Sequence, residues 1–185
     1  MLKKHMLILL FLLIPTSAYA KDFVVNASTS VEYTIQKSSA ELQAFDSPDF
    51  ISRNLPGITS IKPLEQNNFL WDLKIDVPMS RDMEGSFISQ KQVLGENHMV
   101  FSSPEGAEDY MRCEIIVEPQ ENNESLINIS MKLKFTRSNG LKFHWMAPLV
   151  GEAFLSDRVT EMLDKMLNEF IVNSTEELEA DSVTK

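Results

Sequence analysis

Five side chains in this chain could do chemistry on a substrate: His98, His144, Cys113, Tyr110 and Arg112. Their spacing does not assemble a known reaction centre. A zinc site needs three or four ligands, and the histidines lie far apart with no Cys/His cluster, so no metal is expected. No G-x-S-x-G, no Cys–His arrangement and no glycine-rich phosphate loop occurs. No catalytic residue and no cofactor is therefore assigned. His144 beside Trp145 could serve as a pocket acid or base; the plainer reading is a strand histidine that is exposed or structurally hydrogen-bonded. Cys113 alternates with Met111, Ile115 and Val117, which reads as a small buried hydrophobe. As the single cysteine it closes no intrachain disulfide. The 27 carboxylates fall mostly on polar positions of strands and helix, a solvated face.

The apolar side chains are more informative. Ten methionines and eleven phenylalanines are present, and methionine adapts to irregular apolar shapes. Phe50, Trp71, Leu73, Phe87, Phe101, Met111, Met131, Phe135, Trp145, Phe154, Met162 and Met166 are the candidate lining of an apolar cavity. The competing reading is a filled core made of the same residues.

These side chains need elements to hold them. Residues 23–35 alternate as a first strand, with Val25, Ala27, Thr29, Val31, Tyr33 and Ile35 on one face. Ser38 and Glu41 have capping-box spacing. Asp46-Ser47-Pro48 restarts a second short helix that Pro56-Gly57 ends. Six strand-like runs follow, at 58–64, 69–77, 83–94, 98–102, 107–118 and 127–135, separated by short polar turns. Consecutive strands with short turns predict an antiparallel sheet, one face buried and one wet. Ser138-Asn139-Gly140 reads as one more hairpin turn. From Pro148 onward Val150, Phe154, Val159, Met162, Leu163, Met166, Leu167 and Phe170 recur at threes and fours. That predicts a helix of more than twenty residues whose stripe must lie on the sheet. Residues 173–185 are polar and acidic and are expected to be a flexible tail.

The start of the chain reads as an export signal. Lys3, Lys4 and His5 precede the apolar run Met6–Ile14, then Pro15 and the Ala18-Tyr19-Ala20 site. Cleavage after Ala20 is expected, giving a periplasmic or secreted protein. The nine-residue run is too short for a hydrocarbon core of about 30 Å, and no integral membrane segment is expected after cleavage. The 185 residues carry a net charge of −10, or −12 once Lys3 and Lys4 leave with the signal. That charge weighs against nucleic acid as a partner, which needs clustered cations, and against an anionic membrane surface.

Strand, two short helices, a run of strands and one long helix is the element order of the helix-grip fold. Asp46-Ser47-Pro48-Asp49-Phe50, Asn54-Leu55-Pro56-Gly57-Ile58, Ile61-Lys62-Pro63-Leu64 and Met83-Glu84-Gly85-Ser86-Phe87 resemble START-like proteins of the SRPBCC (polyketide cyclase/dehydrase and lipid-transport) superfamily. The run from Val150-Gly151 to Glu169-Phe170 fits the same group. Within it, the nearest resemblance is to the G-type subunit of carbon monoxide dehydrogenase, over residues 24–172. It implies an α+β fold: a curved antiparallel sheet of six or seven strands wrapped on the C-terminal helix, with a cavity between them. The chain thus divides into a signal peptide (1–20), a helix-grip domain (21–172) and the acidic tail (173–185). The expected function is non-enzymatic binding of a hydrophobic small molecule or lipid. Two alternatives stand beside it. One is a cyclase/dehydratase-type enzyme using Tyr110, Arg112 or His144; the other is a protein-interaction module with a closed cavity.

Overall fold

The computed structural model describes residues 24–37, 41–75, 83–136 and 151–183. The signal segment, the Ser138-Asn139-Gly140 turn, His144, Trp145 and Pro148 lie outside the described residues. Seven strands form one antiparallel sheet: β1 (Val24–Ile35), β2 (Ile58–Pro63), β3 (Asn68–Ile75), β4 (Met83–Gly95), β5 (His98–Ser102), β6 (Tyr110–Pro119) and β7 (Ser125–Thr136). Their order across the sheet is β1-β7-β6-β5-β4-β3-β2, so the first and second strands are its two edges. The long pairing of β1 with β7, from Val24↔Thr136 to Ile35↔Ser125, joins the first strand to the last.

Local chemistry explains the turns. The β2–β3 hairpin turns through Gln66 and Asn67, and the β6–β7 hairpin through Asn122 and Asn123, all at φ near +60°. Two consecutive left-handed residues match the right-handed twist of a hairpin, and asparagine tolerates that conformation well. Between β1 and β2 run a 3-10 helix (Glu41–Asp46) and α1 (Pro48–Asn54). Ser47 caps α1 by accepting the Phe50 amide at 3.4 Å, with Pro48 in the first turn. Gly57 then turns into β2 at φ +80°. A Cβ there would sit 2.9 Å from Met166 Cε and 3.3 Å from the Lys74 carbonyl, so only glycine allows this approach.

The C-terminal helix, α2 (Glu152–Val183), has 32 residues. Its inward side chains are Leu155, Val159, Leu163, Met166, Leu167, Phe170 and Ile171, all buried against the apolar face of the sheet. Phe45, Phe50 and Phe170 pack as a ring cluster, with centroids 5.3, 5.6 and 6.5 Å apart, and tie the short helices to α2. Along the β1 edge, α2 serves as a guard. The Val24 amide donates to Glu152 Oε1 at 3.0 Å and the Asn26 amide to Ser156 Oγ at 3.1 Å. These contacts occupy N–H groups that would otherwise invite another strand.

Two expectations are corrected. Phe154 does not lie in the stripe: it is 48% exposed, and the Arg158 guanidinium sits 5.3 Å from its ring centroid. The stripe starts from Leu155, one residue or about 100° round the helix, because Leu155, Val159 and Leu163 recur every four residues while Phe154 falls five before Val159. Nor does a loose tail begin at Asn173. Ser174 and Leu178 continue the inward spacing after Leu167 and Ile171, and the helix runs on to Val183. Glu177 accepts from Arg53 at 2.7 Å and from Asn54 at 2.6 Å, and Asn173 donates to the Asn54 carbonyl at 3.0 Å. These contacts hold the extension on α1.

Candidate functional site

The candidate site is the concave face of the sheet, under α2, together with the cleft beside it. Alternation decides which side chains reach it. On β3 these are Phe69, Trp71 and Leu73; on β4, Phe87 and Ser89; on β5, Met99 and Phe101. Met111, Cys113, Ile115 and Val117 come from β6, and Ile127, Ile129, Met131 and Leu133 from β7. Trp71 and Phe101 meet nearly edge-to-face, their centroids 5.1 Å apart, and Phe69 meets Phe101 at 5.5 Å.

Most of the candidate lining converges here. Phe50, Trp71, Leu73, Phe87, Phe101, Met111, Met131 and Met166 are buried in one continuous apolar cluster, and Met162 packs partly buried against it. Phe154 faces solvent instead. Trp145 and the side chain of Phe135 lie outside the described residues.

A cleft of about 310 Å³ opens beside this cluster, between the Glu41–Asp46 turn and the β4–β5 hairpin. Its apolar walls are Leu42, Phe45, Val93, Met99, Ile115 and Val117, and its rim is Gln43, Asp46, Glu96, Asn97 and His98. None of the twelve candidate residues lines it. The alternation around Met99, Ile115 and Val117 and the apolar spacing of Leu42 and Phe45 were visible in the sequence. That they would face one another across a gap was not, because it depends on the 3-10 helix lying over strands more than fifty residues away. Lys91 bridges the two sides, with its Nζ 2.7 Å from Asp46 Oδ1 and 2.9 Å from the Asp46 carbonyl.

The polar groups sit elsewhere. Tyr110, Arg112 and Glu114 alternate with the buried Met111 and Cys113, so they occupy the outer face of β6. Tyr110 Oη lies 3.2 Å from Ser102 Oγ. Arg112 and His98 both bond Glu114, at 3.0 and 2.7 Å. Burial pushes the Glu114 carboxyl up, but the His98 and Arg112 contacts more than offset it and hold it below the usual carboxylate range. Burial, with the Glu114 charge beside it, pushes the Cys113 thiol up to about 12, so it stays un-ionised and inert at neutral pH. Among the described residues no group of three or more His, Cys, Asp or Glu could hold a metal ion. Among them, too, no helix is long and apolar enough to cross a membrane.

This arrangement defines a START-like helix-grip fold, and solved structures carry the same architecture. A START superfamily protein from Mycobacterium smegmatis superposes with a TM-score of 0.57 at 13% identity, over 83% of this chain and 97% of that one. The Zhui aromatase/cyclase from a Streptomyces species superposes with a TM-score of 0.52 at 14% identity, over 86% and 96%. The di-domain aromatase/cyclase StfQ of the steffimycin biosynthetic pathway gives 0.57 at 11% identity, over 85% of this chain and 52% of that one. At such identities the likeness is one of fold. No protein-family model and no curated protein sequence matches the chain.

Proposed function

We propose that this chain is an exported helix-grip protein that holds a hydrophobic small molecule or lipid between the sheet and α2, without catalysing its conversion. The observation that carries the reading is the cleft of about 310 Å³ at the end of the sheet, five of whose six apolar wall residues (Leu42, Phe45, Met99, Ile115 and Val117) also belong to the apolar core packed beneath α2. Its volume lies at the lower end of small-molecule sites, and Met99 at the mouth and Met111, Met131 and Met166 behind it can repack to enlarge it. The enzyme alternative has less support, since Tyr110 and Arg112 belong to the opposite face of the sheet. Export is supported by the Lys3-Lys4, Met6–Ile14 and Ala18-Tyr19-Ala20 succession.

Titration of the folded protein with the environment-sensitive dye ANS at neutral pH tests the binding half. Saturable enhancement that a Met99→Trp substitution blocks is expected. A folded protein that takes up no dye would contradict it. N-terminal sequencing of secreted material tests the export half, with Lys21 expected as the first residue and Met1 as the contradicting result.

A further inference from the structure

Three buried polar side-chain atoms reach no hydrogen-bond partner among the described residues: Trp71 Nε1, Ser89 Oγ and Ser174 Oγ. Ser174 belongs to α2, beside the Asn54–Asn173 contact. The other two share the concave face. Trp71 pairs with Phe87, and Phe69 pairs with Ser89, so Trp71 and Ser89 are diagonal neighbours on adjacent strands. Residues in such a relation lie about 7–8 Å apart, their Cβ atoms somewhat closer, a span that an aromatic side chain covers. Both residues are 0% exposed. A buried polar group left without a partner is costly, and this face of the sheet holds two of them as diagonal neighbours in an apolar surround.

Their place relative to the cleft completes the geometry. Val93 lines the mouth, and Lys91, Ser89 and Phe87 follow it inward on the same face of β4. Four residues of strand put Ser89 about 13 Å along β4 from Val93, behind the lining of the cleft. The side chains between are apolar except Lys91, whose ammonium is occupied by Asp46. An indole N–H only donates, and a hydroxyl donates or accepts. The group that satisfies both is therefore an oxygen acceptor. No unoccupied cation stands beside it among the described residues, so a carboxylate or phosphate would be buried without a counter-charge.

Resting on the cavity reading above, we infer that Trp71 and Ser89 form a polar subsite behind the cleft, reached when its methionine-lined wall repacks, that takes the neutral oxygen of an otherwise apolar ligand, as in a ketone, ester or alcohol.

Matched probes test this on the full mature chain. Acetylnaphthalene and ethylnaphthalene have nearly the same shape and differ in one carbonyl, and naphthoate supplies the charged counterpart. Calorimetry is expected to show acetylnaphthalene binding about tenfold more tightly than ethylnaphthalene, as one well-placed buried hydrogen bond allows, and naphthoate more weakly than acetylnaphthalene. The indole N–H resonance of Trp71, identified by its loss in Trp71→Phe, should shift with the ketone and not with the hydrocarbon. Ser89→Ala, which barely changes the packing, should cut the preference by at least about threefold and leave ethylnaphthalene affinity within about twofold. Equal binding of ketone and hydrocarbon with an unmoved Trp71 resonance overturns the inference and leaves the two groups to internal water. Tightest binding of naphthoate overturns the neutral-oxygen assignment. Binding of none of the three overturns the cavity reading itself, and the subsite with it.

Discussion

Asp72 shows how one residue on the outer face ties three strands together. Its Oδ2 accepts from Ser60 Oγ at 2.6 Å and Lys62 Nζ at 3.0 Å, both on β2, and its Oδ1 from Ser86 Oγ at 2.7 Å on β4. The Ser60, Ser86 and Lys62 hydrogen bonds bring its pKa down from 3.8 to about 2. Because the folded carboxyl is the stronger acid, its stabilising contribution is complete above about pH 4 and is lost as pH falls through about 2. Asp72→Asn should flatten that part of the acid-unfolding profile, read by circular dichroism, and lower the urea midpoint at pH 7. An unchanged acid limb would place the anchoring elsewhere. Phe154 makes the opposite point. Exposed, with Arg158 over its ring, it should cost less than about 1 kcal/mol on truncation to alanine. Leu163→Ala, fully buried on the sheet, should cost roughly 2–5 kcal/mol. Urea melts of the two variants decide the phase of the helix. The spacing already favoured Leu155, which lies four and eight residues before Val159 and Leu163 whereas Phe154 lies five before Val159, and the hydrogen bonds from β1 to Glu152 and Ser156 accord with that phase.

A contrast between pattern and contact holds for whole elements. The strands were legible because each alternates with period two, most clearly Phe69–Leu73 and Met111–Val117, and α1 because Ser47-Pro48 is a strong start. The end of α2 was not legible. Asn173–Val183 looks like a solvated tail, and nothing local reveals that Glu177 will find Arg53 and Asn54 on α1. Arg53 foremost, with help from Asn54 and against the effect of burial, holds the Glu177 carboxyl below its ordinary range. Deleting the chain after Asn173 should therefore lower stability by about 1–3 kcal/mol, the order expected when a charge-assisted contact to a partly buried partner is broken. Arg53→Ala should reproduce part of that loss. A deletion without effect would mean that the extension is not docked and that the tail reading was the better one.

At the scale of the molecule, the sheet, the two short helices and α2 enclose one apolar core, and a cleft lies beside it between the Glu41–Asp46 turn and the β4–β5 hairpin. The architecture was legible in the order of elements, and the wall residues in their alternation. The position of the opening was not, nor the two unsatisfied donors behind it, because both arise from pairings between distant strands. Native mass spectrometry of the protein recovered from its host without organic solvent shows whether a ligand travels with it and where its chain starts. The account predicts a polypeptide mass starting at Lys21 together with a second peak heavier by one small apolar molecule, which collapses to the first on extraction and returns when the extract is added back. A bare polypeptide mass that stays bare after add-back would contradict it.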